Sequence, residues 1–246
     1  MTDDSKTTTR AAIVFGGSRG IGAAVARRLA RDGADVALTY VSAPEKAAET
    51  VAAIEAEGAQ GLAIMADSAD PVAIQAAVAT AVKRFGQLDI VVVNAGIFRW
   101  GPVETYPLEQ LDLMLDTNVR GVFLAIQAAA PHLAQGGRIV TIGSNTAVRN
   151  SFPGSSVYSM TKAAVATMVK GIAIDLAPRG ITINNVQPGP IETDLTSANL
   201  EMLKPLIPVG RVGQPREIAG LVAYLASEES GYMTGASLTI DGGMSL

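Results

Sequence analysis

The sequence predicts a single doubly wound α/β domain, a parallel sheet with helices on both faces, and three observations predict it. Short β-branched runs alternate with longer alanine-rich amphipathic stretches from residue 11 to residue 142, the rhythm of consecutive βα units. Candidate strands such as Ile90-Val91-Val92-Val93 are apolar throughout, as strands covered on both faces are. No linker, internal repeat or low-complexity tract interrupts residues 11–246.

The elements follow in order. The apolar run Ala12–Phe15 is a first strand closed by Gly16-Gly17, and Ile21–Asp32 is a helix that stops at Gly33. Val36–Tyr40 is a second strand, and Pro44, suited to the first turn of a helix, opens Pro44–Glu57. Leu62–Met65 and Ile90–Val93 are the next strands, separated by a helix over Pro71–Phe85 that begins at a proline and stops at Gly86. Asn118–Leu133 is a helix whose first residue is of N-cap type, and Arg138–Ile142 is a strand entered through Gly136-Gly137. Val157–Leu176 is a long helix, Ile181–Val186 a strand after Gly180, Pro215–Ala226 a helix, and Ser237–Ile240 the last strand. Residues 188–213 hold four prolines among mixed polar and apolar residues and read as a substrate flap. Residues 1–10 read as a flexible tail, because Thr2–Thr9 offers nothing to pack.

Composition narrows the chemistry. Of 246 residues 48% are hydrophobic, enough for a core that needs no disulfide or metal. There is no cysteine and one histidine, which excludes thiolate zinc, iron–sulfur clusters, a cysteine nucleophile and a histidine metal cluster, so no metal is expected. That histidine, His132, follows Pro131 late in a candidate helix, and a Ser-His-Asp hydrolase is set aside. A net charge of −4 argues against a nucleic-acid or anionic-membrane footprint. No apolar run approaches the ~20 residues a membrane span needs, and the start lacks the apolar core of a signal peptide, so a cytoplasmic location is expected.

The first strand leads through Gly16-Gly17-Ser18-Arg19-Gly20-Ile21-Gly22 into a helix. Glycines there permit a tight turn and close backbone approach, while the helix N-terminus offers free N–H groups and a positive dipole end to a pyrophosphate. An ordinary turn is the plain alternative; the strand-to-helix setting favours a dinucleotide. A carboxylate at the end of the second strand would hold the ribose hydroxyls of NAD, but that end reads Thr39-Tyr40-Val41-Ser42, with Asp35 at the wrong end and Glu45 inside the next helix. Arg19 and Ser42 are instead suited to a 2′-phosphate, which selects NADP(H). The alternative for Arg19 is a solvated charge.

Tyr158 and Lys162 are four residues apart in a candidate helix, so both project from one face. An ammonium beside a phenol stabilises the phenolate and draws the tyrosine pKa down toward a range useful for proton exchange with an alcohol or carbonyl oxygen. Ser144 lies just past the fifth strand, at the carboxyl edge where ligands of open α/β sheets bind. Asn118 sits at or near a helix start, where it is either an N-cap or a site residue.

Taken together, Gly16-x-x-x-Gly20-x-Gly22, Asn94-Ala95-Gly96, Asn118, Ser144 and Tyr158-x-x-x-Lys162 resemble the short-chain dehydrogenase/reductase family over essentially all of Ala11–Leu246. Asp67-Ser68 after the third strand, Pro188-Gly189-Pro190-Ile191-Glu192-Thr193 after the sixth, and Asp241-Gly242-Gly243 extend the match. The resemblance implies a Rossmann sheet of parallel strands and an NADP(H)-dependent carbonyl reductase or alcohol dehydrogenase. It implies Tyr158 as general acid and base, Lys162 on the nicotinamide ribose and depressing the Tyr158 pKa, Ser144 on the substrate oxygen, and Asn118 holding a proton-relay water. It further implies cofactor contacts from Gly16, Ser18, Arg19, Gly20 and Ile21, from Tyr40 and Ser42, from Asp67 and Ser68 near adenine, from Asn94, Ala95 and Gly96, and from Pro188, Gly189, Ile191 and Thr193 around the carboxamide. Two departures stand out: Phe15 replaces the family's usual Thr before the first glycine, and Val93 the first Asn of its Asn-Asn-Ala-Gly motif. Both loosen the expected tie between the first turn and the fourth strand, while apolar replacement on both sides leaves the fold intact.

The expected substrate is a small or medium ketone or secondary alcohol, walled by Phe98, Trp100, Val148, Phe152, Leu195 and Leu200. Arg99 and Arg149 keep a 3-oxoacyl carrier-protein substrate in play. The chain is also similar to a bacterial subgroup that includes a biofilm-dispersal mediator described as binding cyclic di-GMP, so a non-catalytic nucleotide-signal protein is the alternative of another class. The family resemblance implies a homotetramer, with 118–133 and 157–176 forming one interface.

Overall fold

A computed structural model describes residues 9–150, 152–194, 196 and 200–246. The strands are β1 (Arg10–Phe15), β2 (Ala34–Tyr40), β3 (Gly61–Met65), β4 (Leu88–Val93), β5 (Leu133–Ile142), β6 (Thr182–Pro188) and β7 (Ser237–Ile240). The helices are α1 (Gly20–Arg31), α2 (Pro44–Ala56), α3 (Pro71–Phe85), α4 (Leu108–Leu115), α5 (Gly121–Ala129), α6 (Ser156–Leu176), the single turn α7 (Leu200–Leu203) and α8 (Pro215–Ala226). All seven strands form one parallel sheet in the order β3-β2-β1-β4-β5-β6-β7. The order reverses between β1 and β4, and a ligand crevice opens beyond the carboxyl ends of strands at such a switch point.

Strand residues alternate between two cores because successive side chains point to opposite faces. Ala12 and Val14 of β1 pack with Val25 and Leu29 of α1 and Ile218 and Val222 of α8. Ile13 and Phe15 pack with Ile74 and Val78 of α3, Val122 and Ile126 of α5, and Val165 and Val169 of α6. Each such buried branched side chain is worth about 1.5–3 kcal/mol. A smaller third cluster of Ile207, Val212 and Met244, with Phe152 and Leu203 against it, lies under the flap.

The structure corrects the helix expected over Asn118–Leu133. Helical chain runs from Leu108 to Ala129, Asn118 lies inside a π turn over Asp116–Arg120, and Leu133 begins β5. Asn118 is therefore not an N-cap. The spacing of Leu108, Leu111 and Leu115 before it already fits a helix, and the extra residue of the π turn breaks the period that would carry it into Gly121–Ala129. Within the segment expected to be a flap lie α7, a 3₁₀ turn over Lys204–Leu206 and a parallel bridge from Ile191 to Gly213. Thr2–Thr8 of the expected tail and Leu195 of the expected pocket wall lie outside the described residues.

Candidate active site

The glycine turn closes as its sequence demands. Gly16 has a φ of 73°, in the left-handed region, and a Cβ at Gly22 would stand 2.1 Å from the Gly16 carbonyl oxygen. Helix α1 starts after Arg19 with no side-chain cap on its free N–H groups, which leaves them to an anion. Phe15 and Val93 are register partners on β1 and β4, both buried in the same core, so one apolar contact replaces both polar groups. The tie between turn and strand is made elsewhere. Asn94 Nδ2 donates to Gly16 O at 2.8 Å, the Asn94 and Ala95 amides donate to Phe15 O at 3.1 and 2.9 Å, and Gly16 N donates to Thr39 Oγ1 at 2.9 Å.

Along the cleft, Arg19 is exposed and stands 3.8 Å from the Asp194 carboxylate. A Cβ at Gly20 would lie 3.2 Å from Thr193 Cγ2, so Thr193 packs against the glycine turn. Tyr40 is half-buried and Ser42 exposed at the end of β2. Asp35 is occupied at the far end, accepting from Gln60 N at 2.7 Å and from Gln60 Nε2 at 2.9 Å. Buried Ser18 accepts through its carbonyl from Thr50 Oγ1 at 3.2 Å, while Ile21 packs against the α1–α8 core. Asp67 accepts from Ala69 N at 2.9 Å, and Ser68 is buried with its carbonyl against Gly121. Gly189 N donates to Ile240 O at 3.0 Å, which with buried Ile191 fixes the loop after Pro188. Glycines that a side chain would obstruct, an uncapped helix start and an exposed cation held only by a loose ion pair fit a dinucleotide with an extra phosphate.

Four further side chains meet at the carboxyl edge beside this cleft. Lys162 is 5% exposed, and its Nζ donates to Ile142 O at 3.0 Å and lies 5.6 Å from the Tyr158 ring centroid. Burial lowers its pKa to about 8. Burial raises the Tyr158 phenol above its ordinary value, with the hydrogen bond to Ser144 opposing. The expected depression of the Tyr158 pKa by Lys162 is thus not seen in the chain alone, because the ammonium faces the ring and a backbone carbonyl, and desolvation dominates. Ser144 Oγ accepts from Thr146 N at 3.2 Å and Thr146 Oγ1 at 3.0 Å. Asn118 is fully buried, with Oδ1 accepting from Ile97 N at 2.8 Å and Nδ2 donating to Ile97 O at 2.8 Å and Thr161 Oγ1 at 3.2 Å. A Cβ at Gly96 would lie 3.3 Å from both Asn118 Oδ1 and Lys162 Nζ, which puts this four-residue cluster and the glycine-turn cleft in contact.

A family model described as enoyl-(acyl carrier protein) reductase matches residues 16–245. The chain is 52% identical to a short-chain dehydrogenase/reductase from Serratia marcescens BCRC 10948, with a TM-score of 0.93 over 96% of this chain and 98% of that one. The chain belongs to the short-chain dehydrogenase/reductase family. A short chain dehydrogenase from Burkholderia cenocepacia J2315, solved in complex with NADP, is 48% identical with a TM-score of 0.94 over 96% of this chain and 98% of that one. The cyclic-di-GMP-binding biofilm dispersal mediator protein of Escherichia coli K12 is 42% identical over 96% of this chain and 97% of that one.

In this dehydrogenase/reductase one of the expected pocket walls lies against Tyr158. Phe98 meets its ring edge-on at 4.9 Å and 86°, and Trp100 meets Phe98 at 6.0 Å. Val148 is exposed and Phe152 packs on the flap cluster; Leu200 begins α7, but its side chain lies outside the described residues. Arg99 donates to Gln110 Oε1 and Phe98 O, and Arg149 to Leu246 O, so both cations of the pocket rim have partners within the chain. Sequence reasoning missed Thr39, Thr146, Thr161 and the Ile97 backbone. Only Thr146, two residues after Ser144, carries a local signal, the spacing of a serine turn; the others act through contacts distant in sequence.

Proposed function

We propose that this oxidoreductase is an NADPH-dependent carbonyl reductase, acting reversibly on a small or medium ketone and its secondary alcohol. The observation that carries the reading is the convergence of Ser144, Tyr158, Lys162 and Asn118 at the mouth of the glycine-turn cleft, with Gly96 against both Asn118 Oδ1 and Lys162 Nζ. When bound, the nicotinamide supplies or accepts the hydride. Ser144 Oγ, oriented by Thr146, holds the substrate oxygen. Tyr158 Oη delivers its proton to that oxygen as the carbon is reduced and takes it back in oxidation. The raised phenol pKa suits a proton donor in reduction, and the oxidised ring's positive charge would favour the phenolate needed for the reverse. Lys162 holds the nicotinamide ribose, with Ile191 and Thr193 at the carboxamide, Asp67 at adenine, and Arg19 with Ser42 on the 2′-phosphate. Asn118 anchors Ile97 through its amide. A relay water at Asn118 would therefore lie beside the π turn, where Gly121 N bonds Asp116 O.

Internal partners for Arg99 and Arg149 favour a free ketone over a carrier-bound 3-oxoacyl group. The test follows NADPH oxidation by absorbance with a panel of ketones, diketones and 3-oxoacyl thioesters. Turnover is expected with NADPH, weakly with NADH, and to fall by about 10²-fold or more in Tyr158→Phe. Tight nucleotide binding with no turnover of any substrate would reject the reading, and titration of cyclic di-GMP would then test the signal-binding alternative suggested by the E. coli relative.

A further inference from the structure

The segment after β7, residues 241–246, reaches two of the loops expected to wall the pocket, the one that follows Ser144 and the one that follows β6. The Asp241 carboxylate accepts from Gly243 N at 2.9 Å, Ser245 N at 2.8 Å and Ser245 Oγ at 2.6 Å, which folds the segment back on itself. It also accepts from Asn145 Nδ2 at 3.3 Å, and Asn145 is the residue after Ser144. On its other side a Cβ at Gly189 would stand 2.6 Å from Asp241 Cβ, so this side chain is wedged between the serine loop and the loop that follows β6. The flap is gripped next. Val209 N donates to Gly242 O at 3.1 Å, and Met244 is buried with Ile207 and Val212, with Phe152 of the neighbouring loop against them. Arg149, farther along the serine loop, donates to Leu246 O.

We infer that the segment 241–246 is a clasp that sets the distance between the Ser144 loop and the flap, with Asp241 and Met244 as positioning residues for the carbonyl substrate. Neither side chain needs to touch substrate. Asp241 holds Asn145 and so the backbone that carries Ser144, and Met244 holds the flap wall facing it. A displacement of about 1 Å in such a shell is enough to cost on the order of 10²-fold in rate. The assignment of the pocket rests on the carbonyl-reductase reading; the clasp itself rests on the contacts.

The test makes Asp241→Ala, Asp241→Asn and Met244→Ala in the full chain, with two independent readouts. In hydrogen exchange, Asp241→Ala and Met244→Ala are expected to lose protection in residues 144–150 and 203–212 while residues 10–93 stay as in the wild type. In steady-state kinetics, kcat/KM for the ketone is expected to fall about tenfold or more, with NADPH affinity unchanged in Met244→Ala, and Asp241→Asn, which keeps an oxygen acceptor, retains more activity than Asp241→Ala. Unchanged exchange in both loops, or a loss spread equally over residues 10–93, would overturn the clasp. If the wild type reduces no ketone, the reductase reading fails and exchange alone decides the clasp. If Met244→Ala does not fold, the two Asp241 variants decide it.

Discussion

Lys162 is a buried cation, and burial leaves its charge weakly held even though Nζ donates to Ile142 O. With a folded pKa of about 8, below that of an exposed lysine, the charged form is lost as pH rises through about 8. The kcat/KM for ketone reduction, which reports the free enzyme, is expected to decline across that pH. Stability moves the other way. Above about pH 8 the unfolded chain binds a proton that the folded chain does not, up to the ordinary lysine value near 10.4, so stability contributed by this residue rises with pH across that window. Urea titrations across the window are expected to show the rise in the wild type and not in Lys162→Met. Arg19 acts at the same scale. Its loose, exposed pair with Asp194 contributes little to stability, whereas a 2′-phosphate offers a charge-assisted bond of about 1.5–3 kcal/mol. Arg19→Ala is expected to raise the KM for NADPH by about tenfold or more and leave that for NADH nearly unchanged, which paired kinetics will show.

The π turn is the element on which the site depends. It places Asn118 where its amide satisfies both the N–H and the C=O of Ile97, and that segment carries Phe98 onto the Tyr158 ring. Asn118→Ala leaves those groups buried without partners, a cost of about 1–3 kcal/mol each, and is expected to lower the denaturation midpoint as well as activity. At the other end of the turn, a Cβ at Gly121 would lie 2.1 Å from Ser68 O, a backbone atom that cannot swing aside. Gly121→Ala is therefore expected to destabilise by about 1–3 kcal/mol or more and to weaken cofactor binding through the Asp67-Ser68 loop, measurable by melting and by NADPH titration. Most elements were legible: the strands overlap the apolar runs and the helices at Pro44, Pro71 and Pro215 open where the prolines put them, but β5 begins at Leu133, which the pattern put in a helix. Strand ends were not, because polar residues such as Arg10, Asp35 and Asp89 join the ladder when a partner is found, Asp35 on Gln60 and Asp89 on Ala11 N.

For the whole molecule, α5 and α6 expose Phe123, Met160 and Ile174, at 42%, 47% and 75%, on the helices expected to meet a second copy. Apolar exposure of this kind favours association. Light scattering is expected to give the mass of a homotetramer, and a mass near 25.3 kDa under assay conditions would reject that assembly.

By itself the sequence determined what local pattern can carry. The period of apolar runs specified a parallel sheet covered on both faces, glycines specified the tight turn from the first strand into a helix, and the four-residue spacing of Tyr158 and Lys162 put both on one helix face. Only the tertiary structure decided how those parts are held. Asn118 grips Ile97, Thr39 receives the Gly16 amide, Asp241 grips Asn145, and Phe15 faces Val93, pairs far apart in the chain whose meeting leaves no periodic trace. The direction of the Tyr158 pKa was likewise decided by burial, which depends on what closes over a side chain rather than on the residues beside it in sequence.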